Sequence, residues 1–184
     1  MIHLHSFTLD TPVGPFSCAL DGTGALVATA FGDPSALRRR LPPCHLMDDK
    51  RSEAGARVRG QLQEYFAGTR AAFAVPLNVH GTEFQRQVWS MLEGIPLGET
   101  RTYRGIATAI GKPKAARAVG RANATNPICL LVPCHRVIGA DGSLTGFAFG
   151  ETIKRWLLDH ERAMAAAGIG AARSPYIQTH ISAA

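Results

Sequence analysis

The chain has 184 residues, of which 46% are hydrophobic and 18% are charged, and its net charge is +6. This composition is typical of globular proteins and excludes disorder along the whole chain. No run approaches the ~18 apolar residues of a membrane-spanning helix, and the N-terminus lacks the basic and apolar regions of a secretory signal. We therefore expect a cytoplasmic protein of one or two small domains, without a membrane partner.

The first part of the chain predicts a small α/β domain over residues 1–79. Residues 3–31 are expected to form strands, and the apolar runs on either side of Asp21-Gly22-Thr23-Gly24 predict a hairpin in an antiparallel sheet. The pattern then predicts a short helix over 34–41, an amphipathic helix over 51–67 that ends at Gly68, and an edge strand or linker over 72–79 that contains Pro76.

A second domain is predicted over residues 80–163. Thr82 and Gln85 form a capping box at the start of a helix that ends before Pro96. Another helix is predicted over 103–110, followed by Gly111 and then by a short helix over 114–122 with Pro113 at its first position. Two short helices with a Gly-containing turn between them form a helix-turn-helix pattern.

Positive charge is concentrated in this second domain. Residues 101–136 contain seven Arg or Lys side chains and no Asp or Glu. A local field of this kind suits a polyanion better than a neutral metabolite. The alternative explanation is a genome that encodes arginine often, because 16 of the 20 basic residues are Arg.

The remaining elements surround a Pro-Cys-His sequence. The apolar run 128–132 predicts a buried strand that leads into Pro133-Cys134-His135-Arg136, and Asp141-Gly142 predicts the turn of a second hairpin. A last helix is expected from Glu151 to about Ala163, followed by a flexible tail over 164–184. The core face of that helix is predicted from its apolar spacing to contain Ile153, Trp156, Leu157 and His160, with Glu161 at its border.

Cys134 is a candidate nucleophile because a thiolate attacks carbon readily, and a neighbouring His and basic residues favour the thiolate. Glu161 could orient His135, as the third member of a triad does. In an extended segment, however, neighbouring side chains point to opposite faces, so a direct Cys–His contact would require a tighter turn or a bridging water. The alternative is an inert buried thiol, as we expect for Cys129. No cysteine pair has the CxxC spacing of a zinc site, and we expect no metal.

The segment RAVGRANATNPICLLVPCHRVIG, residues 117–139, resembles the active-site signature of the O6-alkylguanine-DNA alkyltransferases, also called methylated-DNA–protein-cysteine methyltransferases. The resemblance extends over about residues 81–161. It implies a ribonuclease-H-like N-terminal domain and a winged helix-turn-helix domain, so that the fold class is α/β (α+β). It also implies irreversible, single-turnover transfer of an alkyl group from O6-alkylguanine, and possibly O4-alkylthymine, in duplex DNA to Cys134. The target base is flipped out of the stack.

The same resemblance implies roles for individual residues. His135 acts on Cys134 through a water, Glu161 holds His135, and Asn126 braces the active-site turn. Tyr103 helps to rotate the nucleotide and donates a proton to the leaving guanine, and Arg117 is inserted where the flipped base was. The DNA-binding set also includes Lys114, Arg121 and Arg136, and the substrate pocket includes Val137, Phe147, Ala148 and Phe149.

Each role has a simpler alternative. Tyr103 fits the apolar face of its helix, Arg117 could contact a phosphate, Asn126 could be a turn residue, and Glu161 could be a solvated charge. Phe147 and Phe149 depart from the Gly-Tyr-x-Gly-Gly pattern of many family members, which predicts a tight pocket mouth and slow reaction with benzylated guanine.

Two other functions compete with repair. A lesion-binding relative replaces the signature cysteine, commonly with Trp, whereas this chain retains Cys134. A Cys-His hydrolase would need an oxyanion hole and a cleft, which the sequence does not indicate. We therefore expect a monomer in the bacterial cytosol or nucleoid that binds damaged duplex DNA, with clustering along DNA as an open alternative.

Overall fold

The computed structural model describes residues 2–49 and 52–170. The chain divides after Val79 into two compact units. No helix in the described ranges has both the length and the apolar composition needed to span a membrane.

The N-terminal unit is built on a four-stranded sheet with the order β3-β2-β1-β4. Its strands are β1 (Ile2–Thr11), β2 (Gly14–Leu20), β3 (Leu26–Phe31) and β4 (Cys44–Asp48). The predicted hairpin is confirmed, because β2 and β3 pair in antiparallel fashion around the turn that begins at Asp21. The expected all-antiparallel sheet is wrong, because β4 pairs in parallel with β1. This strand escaped prediction because it lies at the sheet edge and is mostly exposed, which leaves no apolar alternation to detect.

Two helices pack on this sheet. α1 (Pro34–Arg38) begins after the capping residue Asp33, and α2 (Glu53–Phe66) begins after Ser52. The apolar face of α2 buries Val58, Leu62 and Tyr65.

The predicted strand over 72–79 is reduced to a single bridge between Leu77 and Leu26. Proline lacks the amide hydrogen that a strand ladder requires. Pro76 therefore takes part through its carbonyl, which accepts a hydrogen bond from the Leu26 amide (2.9 Å).

The C-terminal unit is mainly helical. Its elements are α3 (Glu83–Glu93), β5 (Arg101–Thr102), α4 (Tyr103–Ala109), α5 (Ala116–Ala124), a 3-10 turn (Cys134–Arg136), β6 (Val137–Ile138) and α6 (Glu151–Ala166). The capping box of Thr82 and Gln85 is confirmed at the start of α3. α5 begins two residues later than predicted, because the chain from Lys112 makes a turn that is closed by the Ala115 amide on the Lys112 carbonyl (2.8 Å). Pro113 is therefore not the first residue of α5.

Two predicted extended elements in this unit are wrong. Residues 128–132 form a buried turn rather than a strand, in which Leu130 has a positive φ of 76° and Val132 donates to the Ile128 carbonyl (3.0 Å). Val137–Ile138 pairs in parallel with Arg101–Thr102 rather than with residues 143–145. Gly139 closes the intervening loop through one hydrogen bond to Ser143 (2.8 Å).

The predicted core face of α6 is confirmed only in part, at Leu157 and at the bordering Glu161. The structure buries Lys154, Leu157, Leu158, Glu161 and Met164, whereas Ile153, Trp156 and His160 are only partly buried. The spacing of apolar residues did not predict this face, because two of its residues, Lys154 and Glu161, are charged and have partners elsewhere in the fold. The helix continues to Ala166, so the start of the predicted tail is helical, and residues 171–184 lie outside the described residues.

Candidate active site

Cys134 begins a buried 3-10 turn over Cys134–Arg136, so the segment that carries the thiol is not extended. The thiol-bearing residue is 3% exposed. Its amide donates to the Val132 carbonyl (2.8 Å), and its own carbonyl accepts from the Val137 amide. The backbone on both sides of the thiol is therefore fixed by hydrogen bonds.

His135 and Arg136 share one buried carboxylate. Nε2 of His135 lies 2.8 Å from Oε1 of Glu161, and Arg136 donates from Nε to Oε2 (2.8 Å) and from Nη2 to Oε1 (2.9 Å). His135 and Glu161 are each 0% exposed. The triad partner of the candidate nucleophile is thus held from the last helix, α6.

The electrostatics of this cluster set its charge state. Burial lowers the pKa of His135 and outweighs the opposing attraction of Glu161, so the imidazole is neutral at pH 7. Burial would raise the pKa of Glu161, but His135 and Arg136 outweigh it and hold the carboxyl ionised. An ionised carboxylate only accepts, so Nε2 of His135 carries the hydrogen and Nδ1 carries the basic lone pair. Nδ1 is buried and has no hydrogen-bond partner in the described part of the chain.

Arg136 does not belong to an exposed DNA-binding surface. It is 8% exposed, and besides Glu161 its Nη1 donates to the Ile95 carbonyl (2.5 Å). This corrects the expectation that grouped it with Lys114, Arg117 and Arg121. Those three side chains are exposed, and none forms an ion pair within residues 2–49 and 52–170.

Asn126 closes the buried turn before Cys134. Its Nδ2 donates to the Val132 carbonyl (2.8 Å), and its Oδ1 accepts from the Ile128 amide (3.1 Å). The side chain is 0% exposed. These two bonds replace the ladder that a strand would have provided, and they explain how an apolar run can turn without leaving its backbone unpaired.

Tyr103 stands at the start of α4. Its hydroxyl donates to the Thr145 carbonyl (2.8 Å). Burial, and after it the negative charge of Cys134, raise the pKa of Tyr103 to about 12, so the phenol is protonated at neutral pH. Gly146 lies so close that an added Cβ would stand 2.5 Å from the Tyr103 hydroxyl oxygen.

The expected pocket residues are partly brought together. The rings of Phe147 and Phe149 make an edge-to-face contact at 5.5 Å, and the Phe147 ring lies 6.0 Å from Nζ of Lys154. Phe147 and Val137 are buried, Phe149 is half-buried, and Ala148 is exposed. In the described ranges, no group of three or more His, Cys, Asp or Glu side chains could hold a metal ion.

Comparison with known proteins decides the family. The model of the 6-O-methylguanine DNA methyltransferase DNA-binding domain matches residues 83–163. The methylated-DNA–protein-cysteine methyltransferase of Mycobacterium tuberculosis is 45% identical over 168 residues, which cover 90% of this chain and 97% of that protein. This chain belongs to the methylated-DNA–protein-cysteine methyltransferase family. The resemblance inferred from the sequence is confirmed.

Other members of this family are similarly close to the chain in sequence and in structure. The protein of that name from Methanosarcina acetivorans is 45% identical over 152 residues, covering 83% of this chain and 94% of its own length. The crystal structure of Mycobacterium tuberculosis OGT in complex with DNA aligns with a TM-score of 0.76 and 42% identity, covering 89% of this chain and 94% of that chain.

Two buried polar residues of this methyltransferase were missed by the sequence analysis. Nζ of Lys154 donates to the carbonyls of Val137 (2.5 Å) and Thr145 (3.4 Å). Burial lowers the pKa of Lys154 to about 8, against the attraction of Cys134 and Glu151. Asn123, on α5, donates from Nδ2 to the Cys134 carbonyl (3.2 Å). Helical spacing places Lys154 three residues before Leu157 and Asn123 four residues after Val119, on the buried faces of their helices. It does not reveal the distant carbonyls that allow these two polar side chains to be buried.

Proposed function

We propose that this protein repairs DNA by direct reversal, with Cys134 as the acceptor of the alkyl group. The observation that carries the proposal is the buried pair of His135 and Glu161 beside this cysteine, in a member of the methylated-DNA–protein-cysteine methyltransferase family. The donor is O6-alkylguanine in duplex DNA, flipped into the site because its reacting carbon is out of reach within the stack. No cofactor is required, since the lesion itself supplies the alkyl group.

The chemistry begins with formation of a thiolate. The proton of the Cys134 thiol passes through a water to Nδ1 of His135, and Glu161 stabilises the imidazolium that results. The positive charge of Lys154 assists formation of the thiolate. The electrostatic attraction between the Cys134 thiolate and the Lys154 ammonium favours the charged form of both groups. Burial of the cluster strengthens these electrostatic interactions, because it keeps bulk solvent away and so lowers the local dielectric constant.

Transfer exchanges one bond to carbon for another. A sulfur lone pair of Cys134 forms a bond to the alkyl carbon, while the bond from that carbon to guanine O6 breaks and its electrons remain on the base. Tyr103 donates its proton to the departing guanine and regains one from solvent, which its pKa of about 12 favours. The product is a thioether that the site has no means to cleave, so each chain acts once.

DNA binding is assigned to the C-terminal unit. Helices α4 and α5 act as a helix-turn-helix with α5 as the recognition helix. Lys114, in the turn before α5, and Arg121, on α5, contact phosphates, and Arg117 enters the stack at the flipped base. Support comes from their exposure and from a relative solved in complex with DNA. The ribonuclease-H-like topology inferred for the N-terminal unit is supported by the strand order β3-β2-β1-β4. The winged character of the C-terminal unit, a monomeric state and a cytoplasmic location remain predictions.

Intact-protein mass spectrometry after incubation with an O6-methylguanine duplex tests the proposal. We expect one methyl increment for the wild type and for Cys129→Ser, and none for Cys134→Ser or with an undamaged duplex. Lesion-dependent binding without an increment would replace repair by a lesion-binding function. Absence of both binding and transfer would contradict the proposal altogether.

The two phenylalanines give a further expectation about the substrate. Because the rings of Phe147 and Phe149 pack against each other at 5.5 Å, the pocket mouth is expected to accept bulky alkyl groups slowly. We expect Phe149→Gly to react faster with free benzylated guanine than the wild type, in a mass-spectrometric time course. An equally fast wild type would contradict the tight mouth.

A further inference from the structure

Asn123 connects helix α5 to the backbone of the nucleophile. The residue is 1% exposed, and its Nδ2 donates to the Cys134 carbonyl (3.2 Å) across 11 positions of sequence. It follows Arg121 by two residues, so the two side chains project from nearly opposite sides of the helix. One face of α5 thus carries exposed cations, and the other face holds the residue that bears the thiol.

The carboxamide of Asn123 is less favourable at this buried position than an apolar side chain that only packs. Its Oδ1 is buried and has no hydrogen-bond partner in the described part of the chain, which costs free energy that an apolar side chain of similar volume would avoid. The orientation of the amide follows from its contact, because only the NH2 group can donate to a carbonyl. A residue that served packing alone would be replaceable by leucine.

Asn126 also donates a side-chain hydrogen bond to a backbone carbonyl, but its acceptor lies in the same turn. Its donor holds the Val132 carbonyl, six residues further along the same turn. Asn123 instead joins two elements, the helix assigned to DNA and the 3-10 turn that begins at Cys134. A small displacement of α5 therefore moves the Cys134 carbonyl directly.

We propose that Asn123 is a positioning residue that couples the seating of α5 on duplex DNA to the placement of the Cys134 thiol for transfer. This inference rests on the proposed function, since it needs a reaction at Cys134 and DNA on α5. When the substrate is a free base, no duplex contacts α5, so the position of α5 does not affect the placement of the thiol. Asn123 therefore matters for the duplex reaction and not for the reaction of a free base.

The test compares Asn123→Leu with the wild type on two substrates. In single-turnover experiments at saturating O6-methylguanine duplex, we expect the transfer rate of the variant to fall by about 10- to 100-fold, as misplacement of a reacting group by about 1 Å does. Its affinity for the duplex, its rate with free O6-methylguanine base and its thermal midpoint are expected to match those of the wild type. Thr125→Val is the matched control, because Thr125 ends the same helix but its hydroxyl bonds Gln85 and α5 carbonyls.

The remaining outcomes overturn the inference in separate ways. Equal rate losses on duplex and free base would show static support of the site rather than coupling. An unchanged duplex rate would show that the bond to Cys134 has no role in the reaction. Loss of affinity alone would make Asn123 a determinant of binding. A wild type that transfers no methyl group in the same assay would refute the proposed function itself.

Discussion

At the residue scale, Glu161 is a single buried carboxylate that binds His135 and Arg136 together. Its removal would leave a buried guanidinium without a counter-charge. Buried pairs broken in this way are strongly destabilising, whereas exposed pairs contribute little. The residue therefore serves the fold and the chemistry at once.

We expect Glu161→Gln to lower the free energy of unfolding by about 3–5 kcal/mol. The matched control is Asp159→Asn on the same helix, whose ion pair with Arg162 is exposed and whose loss is expected to change stability by less than about 1 kcal/mol. Urea denaturation of both variants measures the difference. Equal effects would contradict the buried network.

A glycine beside Tyr103 provides a second test at this scale. Gly146 has a φ of +80°, and an added Cβ would stand 2.5 Å from the Tyr103 hydroxyl oxygen, whereas Gly142 has a φ of +83° and open space around it. Gly146→Ala and Gly142→Ala therefore share the backbone strain, of about 1–2 kcal/mol. Only Gly146→Ala is expected to slow methyl transfer, because it displaces the proposed proton donor. Transfer rates that fall equally in both variants would argue against that role of Tyr103.

At the scale of elements, the exposed face of α5 and the turn before it, which contains Lys114, carry the proposed contacts to DNA. Each phosphate contact removed from a duplex-binding protein reduces the salt dependence of its affinity by about 0.9 in the slope of log K against log salt. We expect Lys114→Gln and Arg121→Gln each to reduce the slope by about that amount. Arg57→Gln, on the exposed side of α2, is the control and is expected to leave the slope unchanged. Titrations of labelled duplex at several salt concentrations measure these slopes.

The sequence predicted elements well where local signals determine them. The capping box at Thr82 and the hairpin after Leu20 depend on neighbouring residues, and both are present. The strand predicted over 128–132 failed because Asn126 supplies the backbone partners that let an apolar run turn. The core face of α6 was predicted only in part, because Lys154 and Glu161 are buried by partners that no local pattern reveals. The same long-range dependence concealed Asn123, whose contact lies 11 residues away.

At the scale of the whole molecule, the buried cluster makes stability depend on pH. Because the pKa of His135 is lowered from about 6.5 in the folded chain, the unfolded chain binds more protons as the pH falls below about 6.5. The lowered pKa of Glu161 acts in the same direction below about pH 4.5. The stabilisation that depends on His135 and Glu161 is therefore complete near neutral pH and is lost in two steps on acidification.

We expect the thermal midpoint of the wild type to fall between pH 7 and pH 5.5, and that of His135→Gln to fall less, since the variant has lost the group that titrates there. His80→Gln, at an exposed position, is expected to follow the wild type. Calorimetry across this range makes the comparison. Parallel curves for all three proteins would mean that His135 does not control the acid response.

The measurement that tests the central claim most directly is fragmentation of the tryptic peptide over residues 122–136 after reaction with an O6-methylguanine duplex. This peptide contains both Cys129 and Cys134, and fragment ions that break between them locate the added CH2 group. The account predicts the full increment on Cys134 and none on Cys129, with one methyl per chain. A methyl group on Cys129, or an unmodified peptide from a chain that has consumed the lesion, would contradict it.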